Sequence, residues 1–186
     1  MSGAGGLWLG TWAKFLLGWR LGPYVPTPPH VVSRMLRLAR VETSDVVYDL
    51  GCGDGRVCIA AAREHGARAV GFELDAALVS EARRNVLAEG DALASRVEIR
   101  EEDALAADMR PASVVVMYLS DGGNAKVLPG LAPLAPGARV VTFTFPLCAR
   151  MRPTRRTRVD GIDLFVYTKG AAADAWVDAN GDTYAR

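Results

Sequence analysis

Asp49-Leu50-Gly51-Cys52-Gly53-Asp54-Gly55-Arg56 is the stretch whose residue types and spacing can do chemistry. Three glycines alternate behind an aspartate. An apolar run, Val46-Val47-Tyr48, leads in, and an alanine-rich helical pattern follows. A strand, a glycine loop and a helix in that order aim backbone N–H groups at a ligand beyond the carboxyl edge of a sheet. The spacing restricts the ligand. A dinucleotide loop reads Gly-x-Gly-x-x-Gly/Ala. Here the third glycine comes one residue early, and Arg56 stands where a small residue would allow close helix packing. No Lys-Ser or Lys-Thr follows, which removes the phosphate loop of nucleotide hydrolases. What stands is Asp-x-Gly-x-Gly-x-Gly, with acids further on at Glu73 in "GFELD" and Asp103 in "EEDAL". A carboxylate at Glu73, ending the next strand, suits the two hydroxyls of a ribose.

The elements that must position these groups follow from periodicity. "GPYVPTPP", residues 22–29, is a stiff proline-rich connector. Val31, Val32, Met35, Leu36 and Ala39 then fall on a helical period. Strands are predicted at about 45–50, 67–74, 95–103, 112–120 and 138–145, with helices between them, one of them over 56–65. Strands alternating with helices imply a parallel sheet covered on both faces. "RRTRVDGIDLFVYTK" breaks the rhythm: it reads as two short strands turning at Asp160-Gly161. The expected fold is therefore α/β, a doubly wound, mostly parallel sheet ending in an antiparallel hairpin. Residues 170–186, small and polar, read as a loose tail.

At Asp49–Gly55 the chain resembles the class I S-adenosylmethionine-dependent methyltransferases, a Rossmann-like fold whose first motif has this form. The resemblance implies S-adenosyl-L-methionine as cofactor. Asp49, Gly51, Gly53 and Gly55 would cradle it, Asp49 supporting the loop and the methionine ammonium. Glu73 would hold the ribose, and Asp103 would accept from the adenine amino group. A narrower resemblance covers about residues 23–168. "PYVPTP", "VVYDLGCGDGR", "GFELD", "VVVMYLS" and "PGARVVTFTFPL" look like a small family of protein-lysine methyltransferases. Its characterised animal members modify the adenine nucleotide translocase and the ATP synthase c-subunit of the mitochondrial inner membrane. In that family "PYVP" is a signature, which makes Tyr24 and Thr27 candidates to fold back over the cofactor. The resemblance implies a protein lysine as partner, in a membrane protein, and a mitochondrial or membrane-associated location, otherwise a cytoplasmic one.

Methyl transfer is an in-line displacement at a sulfonium methyl, so the protein mainly positions and desolvates. "YLSDGGN", residues 118–124, lies where a class I enzyme holds its acceptor. Tyr118 is a candidate to face the methyl group, and Asp121 or Asn124 to orient an amine; core packing for Tyr118 and helix capping for Asp121 are the alternatives. Enzymes that methylate nucleobase amines or glutamine amides carry Asp/Asn-Pro-Pro-Tyr here, and this chain has no proline pair. A small-molecule methyltransferase and a non-catalytic cofactor-binding protein stay open as alternatives.

Composition sets the remaining bounds. The 186 residues, half of them apolar, suit one α/β domain. A net charge of +1 gives no field that would draw nucleic acid, and none is expected as a partner. A monomer is expected. Cys52, Cys58 and Cys148 lack metal-ligand spacing and read as buried thiols, and neither His30 nor His65 suggests a metal. Residues 1–22 combine Trp8, Trp12 and Trp19 with Lys14 and Arg20, and no acid precedes Glu42. Lys14 interrupts an apolar run shorter than the ~20 residues a spanning helix needs. An interfacial membrane contact or a targeting segment fits this pattern, as does a helix packed on the domain. The domain itself is expected over 23–169.

Overall fold

The computed structural model describes residues 21–22, 24–172 and 175–185. The apolar N-terminal segment thus lies outside the described residues, apart from Leu21 and Gly22. No helix among the described residues is long and apolar enough to cross a membrane.

Helix α1 (Pro29–Leu38) starts where the sequence places a stop to extended chain. Pro28 precedes it and Pro29 takes its first turn, where a missing N–H leaves nothing unpaired. Val31, Val32, Met35 and Leu36 form its buried face. Then come β1 (Val46–Leu50), α2 (Arg56–His65), β2 (Arg68–Glu73) and α3 (Ala76–Ala88), followed by the short α4 (Asp91–Ala94). Strand β3 (Val97–Glu101) leads to β4 (Val114–Met117), α5 (Asp121–Val127) with a 3-10 turn at Leu128–Leu131, and β5 (Arg139–Phe143). The hairpin β6 (Arg155–Val159) and β7 (Ile162–Lys169) follows, then β8 (Ala175–Val177) and β9 (Thr183–Ala185).

Strands β3-β2-β1-β4-β5 lie side by side and parallel, and β7 adds to β5 in the antiparallel sense. Strand β6 covers the first part of β7's outer edge, and β8 and β9 extend from its end. The period of two along β4 shows why both faces are covered. Val114 and Val116 join the core under α1 and α2, while Val115 and Met117 join the core under α5 and the 3-10 turn. The order of β1 between β2 and β4 opens a crevice at the carboxyl ends of these strands, the place where open α/β sheets bind ligands.

The parallel sheet and its closing hairpin match the sequence expectation. The tail does not. Residues 175–177 and 183–185 are strands, and Trp176 is only 2% exposed, packed edge-on against Tyr167. A single buried indole with a strand on either side is enough to dock a segment whose composition is otherwise small and polar. Lys169, also buried, donates from Nζ to the Ala172 carbonyl at 2.7 Å and so ties down the start of the same segment.

Candidate active site

The glycine loop is built by backbone hydrogen bonds to its neighbouring strand. Gly51 N and Cys52 N both donate to the Phe72 carbonyl, at 2.9 and 3.0 Å. Gly53 N donates to Glu73 Oε2 at 3.1 Å, and Oε1 of the same carboxylate accepts from Leu74 N (2.8 Å) and Asp75 N (2.9 Å). Glu73 is thereby fixed, buried, at the end of β2. Two glycines have specific reasons to be glycine. Gly53 has φ 55°, and a Cβ there would sit 2.4 Å from Cε2 of the Tyr24 ring. Gly55 has φ 81°, and its Cβ would press on Ala82 of α3 at 3.2 Å.

The segment before α1 lies along one side of the cleft. Ser120 N and Oγ both donate to the Leu21 carbonyl, at 3.1 and 2.7 Å, which fastens the segment to the start of α5. At its other end Arg56 Nη1 donates to the Thr27 carbonyl at 2.8 Å, while Arg56 Nε holds Asp54 at 2.9 Å. Tyr24 lies between them, beside the Asp54 carboxylate and the Arg56 guanidinium. Burial, then the Asp54 carboxylate, push its hydroxyl up to about 12. Burial alone would raise Asp54, but the hydrogen bonds and charge of Arg56 outweigh it and hold its carboxyl below the usual range. The loop, Arg56 and the preceding segment thus form one latch. The sequence shows Arg56 only as a departure from the dinucleotide pattern, and its partner at Thr27 is 29 positions away.

Asp49 is the unusual group. It lies in β1, is 5% exposed, and no protein hydrogen bond reaches its carboxyl among the described residues. Burial, with the neighbouring carboxylates Glu73 and Asp54, raises its pKa to about 8. Three acids therefore surround a cleft whose floor is desolvated. Such a site favours a cation, which would return Asp49 to its charged form.

Asp49, Gly51, Gly53, Glu73, Asp103, Tyr24, Thr27 and Tyr118 all line this one cleft. Asp103 is exposed at its rim, where Oδ1 accepts from Leu105 N at 2.9 Å. Gly55 lies beneath the loop, against α3, rather than in the cleft. Asp121 is also outside it, exposed in the first turn of α5, where the helix cap is Ser120 Oγ accepting from Gly123 N at 3.0 Å. Asn124 is fully buried and cannot meet a ligand in the cleft. Its Nδ2 donates to the Phe145 and Pro146 carbonyls, at 3.3 and 3.0 Å, and holds the loop after β5. Tyr118 is half-buried at the end of β4, its ring edge-on to Phe143 with centroids 4.9 Å apart. Cys52 and Cys58 are buried thiols, whereas Cys148 is partly exposed.

A sheet order of 3-2-1-4-5-7-6 with β7 reversed, and a cleft of this construction over β1, β2 and β3, define a class I S-adenosylmethionine-dependent methyltransferase. The residues fit the cofactor: a glycine turn without side chains, a buried carboxyl with no hydrogen-bond partner among the described residues for a cationic group, and an acid at the end of β2 for the ribose. Residues 49–155 match the profile of the ANTKMT methyltransferase domain, and the chain belongs to that family. It is 42% identical over 127 residues to a protein-lysine N-methyltransferase of Saccharolobus islandicus, covering 67% of this chain and 78% of that one. An ATP synthase c-subunit lysine N-methyltransferase of Caenorhabditis elegans is 30% identical over 131 residues, 67% of each chain. Among solved structures, an RNA methyltransferase from Salinibacter ruber in complex with S-adenosyl-L-homocysteine superposes with a TM-score of 0.75. The identity is 46%, over 78% of this chain and 94% of that one. S-adenosyl-L-methionine is the cofactor.

Proposed function

We propose that this enzyme is a protein-lysine N-methyltransferase whose acceptor is a lysine of a membrane-embedded protein. The observation that carries the reading is the wall of the cleft at the end of β4. There Tyr118 and Leu119 line the cleft and lead into a Ser120-capped helix, with no proline pair to stack a base or grip an amide. The names of the Saccharolobus islandicus and Caenorhabditis elegans relatives support a lysine, and the second points to the c-subunit of ATP synthase. A membrane location, mitochondrial or otherwise, belongs to the same reading, because the enzyme must meet an acceptor that is held in a bilayer.

The cofactor supplies an electrophilic methyl on a sulfonium. The protein's share is to bind and orient. Glu73 and the loop fix the nucleoside, Asp49 neutralises the cationic end, and Tyr118 faces the remaining opening. A lysine amine, whose free pKa is about 10.4, must shed a proton before its lone pair can attack. These residues would hold the acceptor amine, neutral once its proton has gone to solvent, in line with the methyl group that the cofactor would supply, with sulfur keeping the electron pair of the bond that would break. To test the reading, enzyme and methyl-tritiated cofactor are incubated with separate membrane-protein, soluble-protein, RNA and metabolite fractions. Label in membrane protein is expected. Label confined to RNA, as the name of the Salinibacter ruber neighbour would suggest, or to a metabolite, would overturn it.

A further inference from the structure

Helix α1 shows solvent a face of one sign. Val31, Val32, Met35 and Leu36 are buried, and Arg34 and Arg37 are exposed on the other side. Three positions apart, they are neighbours on the helix surface. Arg40 follows, exposed, just past the helix end. Arg155 of β6 joins them from another element: its Nη1 donates to the Leu38 carbonyl at 3.0 Å. Burial, then the charges of Arg40 and Arg139, lower the Arg155 pKa, so these guanidinium groups feel one another.

The positive charge is not balanced locally. Among the described residues, Arg34, Arg37, Arg40 and Arg155 form no ion pair with a carboxylate. Carboxylates near them in the chain or across the fold are engaged elsewhere. Asp45 holds Arg139 and the Ser113 hydroxyl, Asp160 pairs with His30 at 2.6 Å, and Glu64 accepts from Ser33 Oγ at 2.7 Å. Exposed Glu42, two positions after Arg40, is left to offset the four cations.

The backbone adds a second observation. Arg40 has φ 53°; its N–H donates to the Arg37 carbonyl and Val41 N to the Leu36 carbonyl, both at 3.0 Å. This is the paired turn that ends a helix with glycine as its usual residue, and an arginine there carries strain that glycine would avoid. A cation in the last turn complements the helix dipole, which accounts for Arg37. It accounts neither for Arg34 in mid-helix nor for Arg155 on β6.

Four cations spread along an exposed helix face match an extended anionic surface. Lipid fits better than nucleic acid. Helix α1 has no phenylalanine, tyrosine or tryptophan on which a base could stack. The chain before it holds Trp8, Trp12, Trp19, Lys14 and Arg20 and no acid, the composition of a segment at a membrane interface. The helix also starts two residues after Thr27, which lines the cleft. We propose that the outer face of α1, with Arg155 beside its end, is the surface by which the enzyme rests on an anionic bilayer. This rests on the membrane reading above and names the contact that would keep the cleft at the lipid boundary.

The test is a titration of full-length enzyme with vesicles of phosphatidylcholine alone and of phosphatidylcholine with about one third phosphatidylserine. Wild type should bind the anionic vesicles more tightly, and the preference should fade as salt screens it. Arg34→Gln/Arg37→Gln changes only exposed side chains. Each lost arginine should weaken binding to anionic vesicles about fivefold, so the pair about twenty-five-fold. Arg40→Gly removes one cation together with the strain, so about fivefold weaker binding is expected at an unchanged or raised melting temperature. Cofactor affinity should stay within about twofold in both variants, since neither touches the cleft. A wild type without preference for anionic vesicles, or an Arg34→Gln/Arg37→Gln enzyme that binds them as tightly as wild type, would overturn the assignment. So would a mixed RNA that binds through these arginines while the vesicles do not. If wild type labels no membrane-protein lysine, the function proposed above fails, and the vesicle titration still decides this one.

Discussion

The carboxylate of Glu73 joins the glycine loop to the end of β2: Oε2 accepts from Gly53 N at 3.1 Å while Oε1 accepts from Leu74 N and Asp75 N. One side chain thus shapes the cradle and lines the cleft. Glu73→Ala should weaken cofactor binding by about 1–3 kcal/mol, the range for hydrogen bonds to a charged group. It should also lower the melting temperature, because three N–H groups lose their acceptor. Calorimetry with S-adenosyl-L-homocysteine and its 2′,3′-dideoxy analogue checks the role. Wild type should discriminate between the two, and Glu73→Ala should barely do so. Equal discrimination in both proteins would remove Glu73 from the ribose.

Gly53 and Tyr24 make a second coupled pair. Sequence reasoning places the ligand against Gly53, so that a side chain there would push into the ligand's space. The structure puts the Tyr24 ring in that space instead. Gly53→Ala should destabilise the fold by roughly 1–3 kcal/mol, from the left-handed φ and the ring contact together. Adding Tyr24→Ala should recover the part due to the ring, measured by urea unfolding. Strict additivity of the two substitutions would show that ring and loop are independent.

Asp49 predicts a pH dependence with a defined sign. Its folded pKa of about 8 lies above the ordinary aspartate value, so the folded protein holds more protons than the unfolded chain between these values. The stability of the cofactor-free enzyme should therefore fall as pH rises from about 4 to 8. Cofactor affinity should run the other way. A cationic ligand favours the carboxylate, and below about 8 binding must first expel a proton, so affinity rises with pH by up to about tenfold per unit. Titrations from pH 6 to 8 in buffers of different ionisation enthalpy measure the proton released. Asp49→Asn should abolish the release, and an unchanged slope would place the titrating group elsewhere.

The Arg56 latch predicts a kinetic effect. Arg56→Ala removes the contact to the Thr27 carbonyl and frees Asp54. The cofactor dissociation rate, read by displacement in stopped flow, should rise on the order of tenfold, equivalent to one charge-assisted hydrogen bond. An unchanged rate would mean that the segment before α1 does not retain the ligand.

Trp176→Ala should cost about 3–5 kcal/mol of stability, as for other large-to-small changes in a core. A loss below about 0.5 kcal/mol would return residues 175–185 to the status of an appendage.

What the sequence made legible was periodic or motif-bound. Helix α2 falls at 56–65 as expected, because Gly55 precedes it and Gly66 closes it in left-handed backbone. The parallel strands follow from apolar runs between such stops, and Glu73 ends β2 as the motif requires. What stayed hidden depends on contacts distant in sequence. Asn124 looks like a polar residue beside an acceptor site, and only the fold shows it buried against Phe145 and Pro146. Asp121 was a candidate for the same role, but its place in the first turn of α5 keeps it outside the cleft. The left-handed backbone of Thr144, φ 72°, has no composition signal, since nothing in "TFTFPL" marks it. Trp176 docks a tail whose neighbours carry no strand pattern.

The most direct measurement is tandem mass spectrometry of membrane protein treated with the enzyme and trideuteromethyl S-adenosyl-L-methionine. The expected result is a trideuteromethyl group on a lysine Nε, absent when Asp49→Asn/Glu73→Ala enzyme is used. Deuterated methyl found in RNA or in a small molecule, with membrane lysines unmodified, would contradict the account.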